Sequence, residues 1–159
     1  MADWFRSLIN NKKLTYSALA AIIFMAVSLP QTYQTVAGVS NTGLSYLPGD
    51  LSIDSIEGNC PTPAGKFLHT GVFFVVLYFL MKWLNKSDLS DGLIAKYSFY
   101  TTLIFFLLSS NDTYALTSRT PYMEDLVDIS GCPTRKGVLV HGLVFLVVLT
   151  LVMHFPKDQ

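Results

Sequence analysis

Two imidazoles hold most of the chemical promise of this chain. His69 lies within "NCPTPAGKFLHTGVFFVVLYFLM" and His141 within "GCPTRKGVLVHGLVFLVVLTLVM", and the two stretches stand 72 residues apart. Matching depth on matching helices is what a bis-histidine haem or a shared metal requires. The competing role is a hydrogen bond across to the Thr-Tyr end of a neighbouring helix, or to one of its carbonyls, the usual use of a polar side chain among apolar helices. No third or fourth ligand accompanies either histidine, so the interhelical bond is preferred and neither cofactor nor metal is expected. Cys60 and Cys132 are equivalent in the same two stretches. They form either one disulfide, if their Cα atoms come within about 7 Å, or two free thiols in a reducing compartment. A zinc site needs about four ligands, and Cys-Pro-Thr written twice supplies two. No Cys-His-acid or Ser-His-acid spacing falls on a common turn, which argues against an enzyme.

The elements that must position these residues are apolar. Hydrophobic residues make up 51% of the 159-residue chain and charged ones 14%. Four spans stand out, Leu14 to Gly38, Phe67 to Leu84, Leu93 to Ser110 and Val138 to Phe155. Each runs roughly 18 residues or more, enough to cross a ~30 Å hydrocarbon layer. The pattern predicts an all-α integral membrane protein whose four transmembrane helices form two parallel-repeated helix–loop–helix units. Residues 1–12 read as an interfacial segment, with Trp4, Phe5, Leu8 and Ile9 on one face. Residues 13–84 and 94–155 are the two-span units, 85–93 a cytoplasmic connector and 156–159 a tail. The first span has a basic start like a signal peptide, but it has a counterpart in the third span and is kept as a membrane helix.

Sorting the charges orients the chain. The side of both termini and the connector carries seven basic and four acidic residues, the loop side four and seven. The basic excess puts both termini in the cytoplasm. No basic patch with interleaved aromatics exists, so no nucleic-acid partner is expected. The acidic loops, residues 38–62 and 118–134, are expected to form an ordered cap and carry much of the partner recognition, testable by charge reversal of Glu124, Asp125 and Asp128, with the N-terminal segment as the competing site. The sequons at Asn85 and Asn111 fall on the cytoplasmic side and at a helix end, and neither is expected to be used.

Aligning the halves gives two offsets. Tyr16-Ser17 matches Tyr97-Ser98, and Thr32-Tyr33 matches Thr113-Tyr114, at 81 residues. Cys60-Pro61-Thr62 matches Cys132-Pro133-Thr134 at 72. Two spans per unit make the repeat parallel rather than inverted. Gly65, His69, Val72, Phe73, Val76, Leu77 and Met81 recur as Gly137, His141, Val144, Phe145, Val148, Leu149 and Met153. Steps of three and four place most of them on one helix face, read as a packing stripe headed by a glycine. Thr62 and Thr134 are expected to cap their helices, with Pro63 at the first helical position. Pro30 breaks or kinks the first helix.

"SSNDTYALT" followed by "GCPTRKGVLVHGLVFLVVL" resembles small membrane proteins of nucleocytoplasmic large DNA viruses, which include the algal and giant viruses. The stretch from Asn111 to Phe145 fits the pattern. The first half departs from it, with Pro30-Gln31 for the Asn-Asp pair and Asn59 for Gly131. The resemblance implies a structural protein of the virion inner membrane, a minor capsid component linking bilayer to shell, with lipid and other virion membrane or capsid proteins as partners. The competing class is a haem- or pigment-binding membrane subunit of an energy-transducing complex, resting on His69 and His141. A channel or transporter would need an intramembrane charge or a carbonyl filter, and neither is visible.

Overall fold

The computed structural model describes residues 12–43, 56–57, 60–84 and 90–154. The segment before Lys12, most of the first loop, residues 85–89 with the first sequon, and the tail lie outside the described residues. The described chain is mainly helical, with a short hairpin in the first loop and turns and a single bridge in the second. Its elements are α1 (Lys12–Ser28), α2 (Pro30–Gly43), β1 (Ile56–Glu57), β2 (Cys60–Pro61), α3 (Pro63–Leu84), α4 (Asp91–Leu108), α5 (Asn111–Ser118), a 3-10 turn (Glu124–Leu126) and α6 (Arg135–His154).

The long helices start where their caps dictate. The Gly65 N–H donates to Thr62 Oγ1 at 3.0 Å, and Gly137 N–H to Thr134 Oγ1 at 3.1 Å. Each threonine thereby satisfies a donor that has no partner in a first turn. Ser90 caps α4 through the Leu93 N–H, and Asp91 in that first turn pairs with Lys82 at 3.0 Å. That exposed ion pair joins the end of α3 to the start of α4.

One expectation needs correcting. The first helix breaks at Pro30 as the sequence predicts, but neither Thr-Tyr pair ends a span helix. α1 and α2 meet at Leu29 with a bend of 65°. Pro30 has no N–H for the Ala26 carbonyl four residues back, so the first helix cannot run through. α4 likewise stops at Leu108, and Ser110 starts α5 by accepting from Thr113 N–H at 3.2 Å. The two Thr-Tyr pairs therefore begin short second helices instead of ending long first ones.

α1 packs along α6 and α3 along α4, with further contacts between α1 and α3 and between α4 and α6. Four phenylalanines fill the centre. Phe24 and Phe105 are 5.3 Å apart between ring centroids, Phe73 and Phe145 6.1 Å, Phe24 and Phe145 4.9 Å, and Phe73 and Phe105 4.2 Å. Such pairs add about 0.5–1.5 kcal/mol each beyond the area they bury. The stripe is buried with them, from Gly65 through His69, Phe73 and Leu77 to Met81 on α3, and at Gly137, His141, Phe145 and Leu149 on α6.

The outside is as apolar as the inside. Phe67, Phe79, Trp83 and Leu107 are each more than half exposed, a distribution suited to a lipid environment rather than to water. Three helices, α3, α4 and α6, are long and apolar enough to cross a membrane, and α1 with α2 makes a fourth if the bent pair is one span.

Candidate functional site

The site lies where the loops meet the helix breaks. Cys60 and Cys132 are joined by a disulfide, with Cα atoms 5.1 Å apart. Of the two states the sequence allowed, the bonded one is present. Each cysteine stands on the return arm of a small turn-back. In the first loop Ile56 pairs with Pro61 and Glu57 with Cys60. In the second, Val127 bridges Pro133, and the Asp128 N–H donates to Cys132 O at 2.8 Å. The Gly131 N–H closes the turn on Asp128 O at 2.9 Å. Gly131 sits at φ 78°, which its missing Cβ permits at no steric penalty. This is a three-residue hairpin with a glycine bulge.

Sequence reasoning missed these turn-backs, although a signal existed. Ile56-Glu57 matches Val127-Asp128 at 71 residues, one short of the cysteine offset. Alignment anchored on the cysteines hides that match. Asp128 is built into the loop itself: its Oδ1 accepts from the N–H groups of Ser130 (2.8 Å) and Cys132 (2.9 Å), so the carboxylate holds its own turn.

The second loop is fastened to α6. The Thr134 N–H donates to Leu126 O at 3.0 Å, Thr134 Oγ1 to Asp125 O at 2.7 Å, and Lys136 pairs with the Asp125 carboxylate at 2.9 Å. A Cβ on Gly137 would collide with the Leu126 carbonyl, so only glycine lets this loop lie so close.

Beneath this lid are two histidine clasps. A helix that stops leaves its last carbonyls without intrahelical donors. At the first break, Thr32 Oγ1 donates to Ala26 O at 2.6 Å and His69 Nδ1 to Val27 O at 3.0 Å. At the second, Thr113 Oγ1 donates to Leu107 O at 2.7 Å and His141 Nδ1 to Leu108 O at 2.8 Å. A buried carbonyl left unpaired would cost about 1–3 kcal/mol, so each clasp removes a penalty the break creates. Because Nδ1 faces a carbonyl oxygen, it carries the proton, and Nε2 of the neutral ring is an acceptor. Tyr33 stacks on His69 at 3.6 Å between centroids and Tyr114 on His141 at 3.9 Å. Both tyrosines are buried.

Every residue in the second clasp is the partner of one in the first at the offsets read from sequence, 81 for the broken helices and 72 for the histidine helices. The match fails at Nε2. His141 Nε2 lies 3.1 Å from Thr117 Oγ1, whereas His69 Nε2 is buried with no hydrogen-bond partner among the described residues. The corresponding position in the first half is Val36. A second reciprocal pair lies at the far end of the bundle, where Ser17 Oγ donates to Met153 Sδ at 3.4 Å and Ser98 Oγ to Met81 Sδ at 3.6 Å. Each of these crosses from one half to the other.

The geometry gives both imidazoles positioning work at the helix breaks. It does not hold them out as a symmetric ligand pair, since one Nε2 is already engaged. Among the described residues, no three of His, Cys, Asp and Glu converge on one point. Comparison with protein-family models, curated proteins and solved structures finds no match.

Proposed function

We propose that this chain is a structural, non-catalytic membrane protein that crosses the bilayer four times as two parallel helix–loop–helix units, with both termini in the cytoplasm and the disulfide-linked lid on the other side. One observation carries the reading. The contacts of each half recur in the other at fixed offsets, and those between halves are exchanged, Ser17 with Met153 and Ser98 with Met81. Exchanged contacts are what a two-fold relation between units produces. The basic excess on the terminal side and a disulfide on the other agree with the assigned orientation.

The resemblance of the stretch from Asn111 to Phe145 to proteins of large DNA viruses supports the further proposal of a virion inner membrane, with the chain as an anchored component between bilayer and capsid shell. Supporting a scaffold role, the histidines, threonines and cysteines of the motifs are occupied in fastening the chain to itself. Fractionation of purified particles tests this reading. The intact chain should stay with the membrane after the capsid is stripped, and particles lacking it refute the assignment. An absorbance spectrum separates the haem alternative, since a Soret band lost in His69→Ala would replace the scaffold reading.

A further inference from the structure

We propose that the first histidine clasp is a water-binding site, in which an ordered water donates to His69 Nε2 and takes the place that the Thr117 hydroxyl holds at His141. This inference is independent of the viral assignment. His69 has no exposed surface. Its Nδ1 proton is committed to Val27 O at 3.0 Å, which leaves Nε2 as a buried lone pair without a donor among the described residues. Buried polar atoms in folded proteins are satisfied, by protein or by ordered water.

The second half shows which donor the position takes. Thr117 Oγ1 stands 3.1 Å from His141 Nε2. Val36 replaces Thr117 in the first half; it has the same branched shape and lacks the hydroxyl. Nothing else in the clasp is lost, because the carbonyl bond and the tyrosine stack are both kept.

The ligand is constrained on three sides. It must donate a hydrogen bond, because Nε2 only accepts. It must be small, because Tyr33 covers one face of the ring at 3.6 Å. It needs two to four polar partners to be held as an internal water. Ser28 Oγ, on the residue after the one whose carbonyl holds His69, is likewise buried without a hydrogen-bond partner among the described residues. A lone imidazole offers a metal ion too few ligands, whereas water meets the donor requirement.

The test is water-to-protein cross-relaxation in the full chain, isotope-labelled and held in lipid nanodiscs, read at Hε1 and Hδ2 of both histidines. The wild type should show water contact at His69 and none at His141. Val36→Thr should abolish the His69 signal, and Thr117→Val should create one at His141. Both substitutions keep side-chain shape, and unchanged Tyr33 and Tyr114 ring shifts verify the fold. No water contact at His69, a signal undiminished by Val36→Thr, or a dry His141 in Thr117→Val each overturns the proposal.

Discussion

The two helix breaks reach one geometry from different residues. The first is built from Ser28-Leu29-Pro30, where proline removes an N–H and forces the chain to turn. The second is built from Ser109-Ser110-Asn111, where a serine cap starts a new helix. In the second, Ser110 Oγ lies 2.7 Å from Thr113 Oγ1, which in turn donates to Leu107 O at 2.7 Å. What the two share is downstream: a threonine and a histidine that donate to two consecutive carbonyls in the last turn of the first helix. The lesson is that the receiving contacts define the break, while the residue that starts it can vary.

The largest effect expected from disturbing this comparison comes from the disulfide that joins the two loops. Removing the Cys60–Cys132 link, which closes a loop of 72 residues, should destabilise the protein by about 4 kcal/mol on the chain-entropy estimate. Denaturant titration of Cys60→Ser/Cys132→Ser in mild detergent measures it. A loss below about 1 kcal/mol would mean that the helix contacts alone hold the halves together.

A glycine pair gives the next contrast. Gly137→Ala drives a methyl into the Leu126 carbonyl, and backbone cannot step aside cheaply. Gly142→Ala meets the flexible end of Met25 instead. The first should cost about 3 kcal/mol and the second under about 1, read as shifts in thermal unfolding. Equal shifts would show that the lid is not seated on α6 as described.

How much of this was legible without the structure differs by element. The buried stripe from Gly65 to Met81 was legible, because a 3.6-residue period written twice leaves one shared face. The threonine caps were legible because Thr62-Pro63 is a local signal. The stop of α4 was legible to within two residues, because the apolar run ends at Ser110. The new helix beyond it was not, because its seating depends on Thr113 and on His141, the latter far away in sequence. The clasps were half legible: a neighbouring carbonyl was among the partners considered for each histidine, but which carbonyl depends on where the helix stops. The role of Asp128 was hidden by a one-residue difference between the loops.

The histidines themselves should respond unequally. His141→Leu removes the donor to Leu108 O and the contact with Thr117, and should cost about 3 kcal/mol. His69→Leu removes one protein contact and should cost about 1–2 kcal/mol. Thermal unfolding of the two variants side by side checks the order, and the reverse order would contradict the clasp geometry.

The smallest effect should come from the residue that looks most decisive. Pro30→Ala restores an N–H at the first break, and sequence logic alone expects α1 and α2 to fuse into one straight helix. The receiving contacts argue otherwise. Ala26 O is already taken by Thr32 Oγ1 at 2.6 Å, and Val27 O by His69 at 3.0 Å. The second break shows that this pair of donors holds a turn with no proline present. Straightening would strip both carbonyls of their side-chain donors and pull Tyr33 off His69. The substitution should therefore keep the bend and lose at most about 1 kcal/mol, the entropy a proline removes from the unfolded chain. Spin labels at the exposed positions Ile22 and Gln34, one on each side of the bend, report the angle as a distance. An unchanged distance in Pro30→Ala supports control by the clasp, and a lengthened one assigns the break to proline alone.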